Sequence, residues 1–583
     1  MKRIHLRTQQ FNSVQLAWLL LILAVIVYVI VMSYQSVLRY DTFKATAFDL
    51  GNMDQAIWNT LHGRFFVWTN QGDNYFGPPT RLAQHVEPIL IPLSLLYIFH
   101  ADPRILLIFQ TLVLASGALP VFLLTRKHLP EWPLLAAVMT FAYLILPALL
   151  GVNIFDFHPI ALATPLLLYA ILAITYKRYF WFVIACVLAA ATKEELPTVV
   201  ALLGFLVIWK YKTPRLGTIL FIGGVLWSLI AVAFIVPHFY HGTQHNSFWY
   251  RYQALGSSPS AAIVNILFHP WILITTFVSF DRIYYLLNIF RGTGFLALLA
   301  PEWLLPTLPN FAINLLGDDK LLYTGIYHYN APIIPFVMMA SIIGLQRVVK
   351  LWARWRGEAV VLPSDSFSPA KVQAGERRPG YTSFPDRVVL TYQSIFQALS
   401  TRPVVTRSLA LAQPHFSGVT YEGRAQWKRF GERMEPLVKA VPLKTFQWIA
   451  CAWIIAMALL NYAYMAPTLT NLMATNTPGT HEARIGQLLA QIPPDAPVSA
   501  GTSLNPHLTE RQYITIFPNV TISSIPGSDQ TVKYIIVDLS TVFPEDKIAT
   551  VKALNQLSQG RFCTLKMADD VILLGRRDVV NCP

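Results

Sequence analysis

The chain has 583 residues, of which 54% are hydrophobic and only 13% charged. A soluble globular chain carries about 25% charged residues, so the composition excludes an ordinary soluble domain and reads as an all-α polytopic membrane protein. The net charge of +14 does not imply nucleic acid: no groove-reading motif is present, and Lys and Arg gathered in cytoplasmic loops account for the excess.

Lys2, Arg3 and Arg7 precede an apolar run at 16–32 that is long for a signal-peptide core and has no small-residue cleavage site after it. It reads as a retained first span with the N-terminus cytoplasmic, leaving near Arg39 into an outer loop over 39–85. Segment 86–100 is short and broken by Pro, and is expected to lie at the membrane interface. Spans follow at 104–125, which ends at Arg126-Lys127, and then at 132–150 and 159–176. Residues 179–209 are apolar but interrupted by Lys193-Glu194-Glu195-Leu196-Pro197, with basic residues on both flanks. Two short helices meeting at the charged break keep both flanks inside, and such a break belongs where it lines a cavity or is buried in protein. Further spans are expected at 216–237, in a hairpin near 262–280 and 283–300, at 331–349 and at 445–465, about 11 transmembrane helices in all at roughly 20 residues each.

This gives a transmembrane core over 1–349, a basic cytoplasmic insertion at 350–444 that is largely irregular, a last transmembrane helix at 445–465, and an extracytoplasmic domain at 466–583. In the last, acids and bases nearly balance, 482–491 and 549–557 read as helices, and 534–538 reads as a buried strand, so a small α/β domain is expected. Cys186 and Cys451 lie in apolar spans and read as packing, whereas Cys563 and Cys582 are able to pair if their domain is extracytoplasmic. The expected location is the cell membrane, multi-pass.

The costliest polar residues are those of Phe155-Asp156-Phe157-His158-Pro159, held between two apolar runs. In an extended loop the side chains at i and i+2 share a side, so Asp156 and His158 are expected to face one metal ion or one substrate. The same topology places on the outer side Asp49, Asp54, His85, Glu87, Lys193, Glu194, Glu195, His238, His241, His245, Asp318, Asp319 and His328. Plainer readings stand beside these. Asp49 is placed to cap a helix beginning near Asn52, Lys193-Glu194-Glu195 can neutralise itself, Asp318-Asp319 can be a turn, and single outer histidines are commonly bystanders. Taken together, carboxylates with an imidazole suit a divalent metal, Mg or Mn. Such an ion neutralises a leaving phosphate while a free carboxylate takes a proton from an acceptor, and Lys193 can meet phosphate as a point charge. No GxSxG elbow or phosphate-binding P-loop is present.

The strings Phe48-Asp49-Leu50-Gly51-Asn52-Met53-Asp54-Gln55-Ala56-Ile57-Trp58-Asn59, His85-Val86-Glu87-Pro88-Ile89, Asn153-Ile154-Phe155-Asp156-Phe157-His158-Pro159 and Lys193-Glu194-Glu195 resemble the predicted membrane proteins of the domain-of-unknown-function 2079 family. Pro506-His507-Leu508-Thr509-Glu510-Arg511 and the 534–538 strand extend the resemblance to the C-terminal segment. The arrangement is also similar to GT-C glycosyltransferases, polytopic enzymes that take a sugar from a polyprenyl-phosphate donor on the non-cytoplasmic side.

That resemblance implies a first-loop acid, which Asp49 or Asp54 would match as general base. It also implies, in the oligosaccharyltransferase branch, a metal-holding motif that Asp156 and His158 would match, with Asp49, Glu87 and His85 as further ligands. Lys193 would contact phosphate, with Glu194, Glu195 and His328 at the substrate. The expected function is a membrane glycosyltransferase moving a sugar from a polyprenyl-phosphate-linked donor to an acceptor, with membrane lipid and that donor as partners and no nucleic acid. The alternative is a transporter or flippase of lipid-linked or anionic solutes, which would place its ionisable groups near mid-membrane.

Overall fold

The computed structural model describes residues 2–70, 78–240, 248–356, 436 and 440–582. The first helix, Lys2–Asp41, buries Ala17, Leu21, Tyr28, Met32 and Ser36 along one stripe, while Leu19, Ile22, Leu23, Ile26, Val27 and Ile30 face outward as in a lipid-facing helix, and near its C-terminal end Leu38, Arg39 and Tyr40 are all buried. Five described helices are long and apolar enough to cross a membrane: Asn12–Asp41, Pro103–His128, Pro214–Phe239, Ile334–Arg356 and Leu443–Leu472. Pro133–Leu144 and Pro147–Ile154 form a pair bent by 47° that makes up to six. Pro159–Thr175, Tyr179–Ala190 and Leu196–Tyr211 are shorter apolar helices.

The chain is therefore a mostly helical, multi-pass membrane protein, with fewer full-length spans among the described residues than the 11 expected. The expected hairpin near 262–280 and 283–300 accounts for part of the difference. It is built of Pro259–Phe268, Trp271–Phe277 and Phe280–Arg291, helices of 10, 7 and 12 residues, each short of the roughly 20 needed to cross. Pro270 and Ser279 stand at the breaks. The interruption expected in 179–209 falls at 191–195, between Tyr179–Ala190 and Leu196–Tyr211.

Two compact units divide the chain, one of Met1–Arg347 with Ile449–Pro583 and the other of Val348–Trp448. In the second, Trp352 stacks on Phe446 with ring centres 4.3 Å apart; most of the insertion expected at 350–444 lies outside the described residues.

Within the first unit the C-terminal segment forms a five-stranded sheet in the order β2-β1-β3-β5-β4, from β1 Val498–Ala500, β2 Ile514–Ile516, β3 Tyr534–Asp538, β4 Phe562–Ala568 and β5 Val571–Arg576. β1 pairs in parallel with β2 and β3, and β5 runs antiparallel to both β3 and β4. Alternate residues of β3 serve opposite faces. Tyr534 and Ile536 join a core with Ile485 and Leu488 of helix Thr480–Leu489, and Ile535 and Val537 join another with Leu554 of helix Pro544–Gln559. Both faces are covered, which is why the strand reads as a continuous apolar run. Cys563 and Cys582 form a disulfide.

The site-bearing loops rest on close backbone contact. Gly151 lies in helix Pro147–Ile154, where a Cβ would sit 2.0 Å from the carbonyl oxygen of Ile326. Gly151→Ala is expected to cost about 1–3 kcal/mol through overpacking, read as a lowered thermal midpoint of the purified chain.

Candidate active site

Asp49 sits in a π turn, Ala47–Gly51, immediately before helix Asn52–Leu61. The turn leaves the helix without a side-chain cap, so the capping role expected of Asp49 is not the one it takes. Its carboxylate instead accepts a hydrogen bond from Thr46 Oγ1 (3.0 Å) and lies 3.1 Å from His158 Nε2. Burial works to raise this carboxyl, but the hydrogen bond and charge of His158 outweigh it and hold Asp49 below the usual carboxylate range.

The Asp156–His158 loop is bent rather than extended. Asp156 adopts φ +49°, a left-handed conformation tolerated mainly by Gly, Asn and Asp. The two side chains consequently part company: Asp156 Oδ1 meets Arg39 Nε at 3.3 Å and Oδ2 accepts from Thr46 N (3.1 Å), while His158 turns to Asp49. Gln110, a buried polar residue in the largely apolar helix Pro103–Ser116, fixes this loop. Its amide donates to the carbonyls of Val152, Asn153 and Asp156 (3.2, 3.2 and 2.8 Å), and its oxygen accepts from His158 N (3.0 Å). Asn153 adds bonds to Ser36, Thr111 and Tyr28. The strained turn is thus over-determined by buried partners.

A second group forms around the charged break at 191–195. Glu194 accepts from Val86 N (3.0 Å) and lies 2.8 Å from His85 Nδ1. Burial would raise Glu194, but the charge and hydrogen bond of His85, with Lys193, lower it to about 2. Lys193 pairs with Glu195 at 3.3 Å, and Asn310 donates to the other Glu195 oxygen at 3.0 Å. Burial alone would neutralise the lysine; the Glu195 and Glu194 charges shift it upward, so it remains an ammonium. Glu87 is held by Arg81, whose Nε and Nη2 donate to one carboxylate oxygen at 3.1 and 2.7 Å.

His328 stacks on His158 with ring centres 4.0 Å apart. Burial, with the nearby charges of His158 and Lys193, drives His328 well down, so its ring stays neutral. Arg251 lies between Asp319 (3.1 Å) and the Tyr329 hydroxyl (3.3 Å). Asp318 accepts from Ala254 N (3.2 Å), a contact to a distant loop, while Asp319 takes the local turn role by accepting from Leu321 N (3.0 Å).

These groups border one cavity of about 1220 Å³. Its lining includes the polar groups of Asp49, Arg81, His85, Glu87, His158, Lys193, Glu194, Glu195, Arg251 and His328 and the apolar side chains of Val232, Val236, Leu255, Ile313 and Leu316. The C-terminal domain contributes Thr502, Ile516, Phe517, Phe543 and Asp546. Arg251 and these C-terminal residues were not singled out in the sequence.

Asp54 and Asp156 are not among the lining residues. Asp54 is fully enclosed, accepting hydrogen bonds from the Tyr97 hydroxyl and from Thr509 Oγ1 (2.6 Å). His241 and His245 lie outside the described residues.

The five residues expected as metal ligands do not form one donor set. Asp156 is taken by Arg39, Glu87 by Arg81 and His85 by Glu194, leaving Asp49 and His158 facing each other. Among the described residues no group of three or more His, Cys, Asp or Glu is disposed to hold a metal ion.

Residues 39–362 and 440–573 match the family of predicted membrane proteins DUF2079, and the chain belongs to that family. No curated protein sequence matches it. Solved structures with a likeness to it include ArnT from Cupriavidus metallidurans in the apo state, at 12% identity and TM-score 0.44 over 97% of this chain and 98% of that one. The same protein bound to undecaprenyl phosphate aligns at 13% identity and TM-score 0.40 over 95% and 97%. The apo oligosaccharyltransferase of Archaeoglobus fulgidus aligns at 13% identity and TM-score 0.36 over 89% and 70%.

Proposed function

We propose that this DUF2079 member is a membrane glycosyltransferase that takes a sugar from a polyprenyl-phosphate donor at the extracytoplasmic face. The observation that carries the reading is a cavity in which a low-lying carboxylate, Asp49, shares space with cations that include Lys193 and Arg251 and with apolar side chains. That combination fits an amphipathic phosphate ester: the polyprenyl chain lies along Val236, Leu255, Ile313 and Leu316, and the cations take the phosphate. Asp49 accepts the proton of the acceptor hydroxyl as its oxygen bonds to the anomeric carbon, and the bond from that carbon to the phosphate oxygen breaks, so that polyprenyl phosphate leaves with the electron pair. His158 orients the carboxylate. The polar groups stand on connections between helices rather than within them: Asp49 follows Lys2–Asp41, His158 precedes Ala163–Thr175, and Lys193 lies between Tyr179–Ala190 and Leu196–Tyr211. This favours an enzyme at a membrane surface over a transporter with charges buried mid-span.

The test is binding of labelled polyprenyl phosphate to the chain in lipid nanodiscs, followed by transfer from a labelled polyprenyl-phosphate sugar. Each charge-assisted contact to phosphate contributes about 1.5–3 kcal/mol, so Lys193→Gln and Arg251→Gln should each weaken binding by about 10- to 100-fold. Wild-type affinity in both variants, or no transfer from any polyprenyl-phosphate sugar, would sink the assignment.

A further inference from the structure

We infer that Arg39 is a built-in cation that stands at the Asp156–His158 motif in place of a divalent metal. The inference rests on the proposed function only in treating the cavity as a reaction site.

Four carboxylate oxygens are within reach of this motif, and each is engaged by the chain itself. Asp156 Oδ1 faces Arg39 Nε at 3.3 Å, and Asp156 Oδ2 accepts from Thr46 N at 3.1 Å. Asp49 Oδ1 faces His158 Nε2 at 3.1 Å, and Asp49 Oδ2 accepts from Thr46 Oγ1 at 3.0 Å. A divalent ion needs several such oxygens or imidazole nitrogens open toward one point, and these point to different partners.

Arg39 is itself fixed. It is 7% exposed, Nη1 donates to the carbonyl of Leu472 at 3.0 Å, and its guanidinium lies 5.5 Å from the centre of the Phe155 ring. A guanidinium carries its charge at every pH a protein survives, so it does what a bound cation would do for a buried carboxylate, without exchange. Thr46 joins the two halves: its amide holds Asp156 and its hydroxyl holds Asp49. Arg39 is therefore a positioning residue. It acts through Asp156 and Thr46 on the turn that carries Asp49, and does not itself line the cavity.

The experiment uses the full chain, purified in detergent after chelator treatment, with Mn²⁺ itself as the probe, read by the electron paramagnetic resonance signal of the free ion. Wild type should bind no stoichiometric Mn²⁺. One Mn²⁺ per wild-type chain that Asp156→Asn removes overturns the proposal. Because Arg39→Gln leaves Asp156 buried without a counter-charge, Arg39→Gln with Asp156→Asn is measured as well. The double variant should recover most of the thermal midpoint lost by the single one, and equal losses would show that the guanidinium is not matched to that carboxylate. A failed transfer assay leaves all of these readouts unchanged, so the two readings fail separately.

Discussion

Asp49→Asn is expected to lower the rate of sugar transfer by about 10²- to 10⁴-fold, the usual contribution of a positioned general base, with KM for the donor little changed. The asparagine keeps the shape of the side chain and an oxygen for His158, but it cannot take up a proton. A loss confined to kcat is the signature of an interaction needed only in the transition state. Folding should be nearly untouched. Asp49 has a side chain 24% exposed at the cavity wall, and partly exposed ion pairs contribute at most about 1 kcal/mol. The informative control is Asp54→Asn, a change of the same chemistry five residues along. Asp54 does not line the cavity, so that variant should transfer at close to the wild-type rate near neutral pH. Initial rates with a labelled polyprenyl-phosphate sugar separate the two, and equal rates for wild type and Asp49→Asn would remove Asp49 as the base.

The contrast between these two acids shows what the sequence could convey and where it stopped. Their motif, from Phe48 to Asn59, stands out because acids and amides crowd a short stretch after an apolar span. Most of that crowding is scaffold. Gln55 accepts from the backbone of Thr69 and Asn70, and Asn59 donates to the carbonyl of Val67. Only the fold distinguishes a carboxylate that faces a cavity from one that ties down a loop. The charged break at 191–195 was legible because charge in an apolar run is expensive wherever it occurs. Gln110 carried a fainter signal, one amide among apolar neighbours, and its function depends on a loop more than 40 positions away. Arg39 read as the charge that ends a span, and Arg251 carried no signal of its own; each acquires its role from a partner distant in sequence, Asp156 and Asp319. The hairpin expected near 262–300 is divided into three shorter helices, a division that hydropathy does not convey because it measures apolar content and not unbroken length.

The junction between the first loop and the C-terminal domain should make stability fall as pH rises. There Thr509 donates to Asp54, Asn505 and Asn70 exchange side-chain hydrogen bonds of 2.7 Å, Ala47 N donates to the carbonyl of Thr502, and His507 packs between Tyr40 and Phe43 at 4.0 and 4.1 Å. Burial pushes Asp54 up to about 7, with the hydrogen bonds from Thr509 and Tyr97 opposing and Asp102 adding to the rise. Burial, with the charges of Asp54 and Asp102, pushes Glu510 up to about 9 against Arg104 and Arg511. Burial lowers His507 to about 3, so the folded ring stays neutral while the unfolded one charges below about pH 6.5, an opposing rise with pH that the two carboxyls together outweigh. Both carboxyls bind protons more tightly folded than unfolded, where they titrate near pH 4. Their stabilisation is fully present below about pH 4 and is lost as pH rises toward 7 for one and 9 for the other. Because the two interact, the protons leave in two steps that belong to the pair. Asp54→Asn should flatten the lower part of the decline and Glu510→Gln the upper part, each by an amount on the order of one to a few kcal/mol. Thermal midpoints from pH 4 to 9 measure this directly, and parallel curves for wild type and both variants would show that the junction does not titrate. Asp54 lies on the helix that follows the Asp49 turn. Loosening at high pH should therefore reach the cavity as well, lowering transfer in wild type at a pH where Asp54→Asn with Glu510→Gln still retains it.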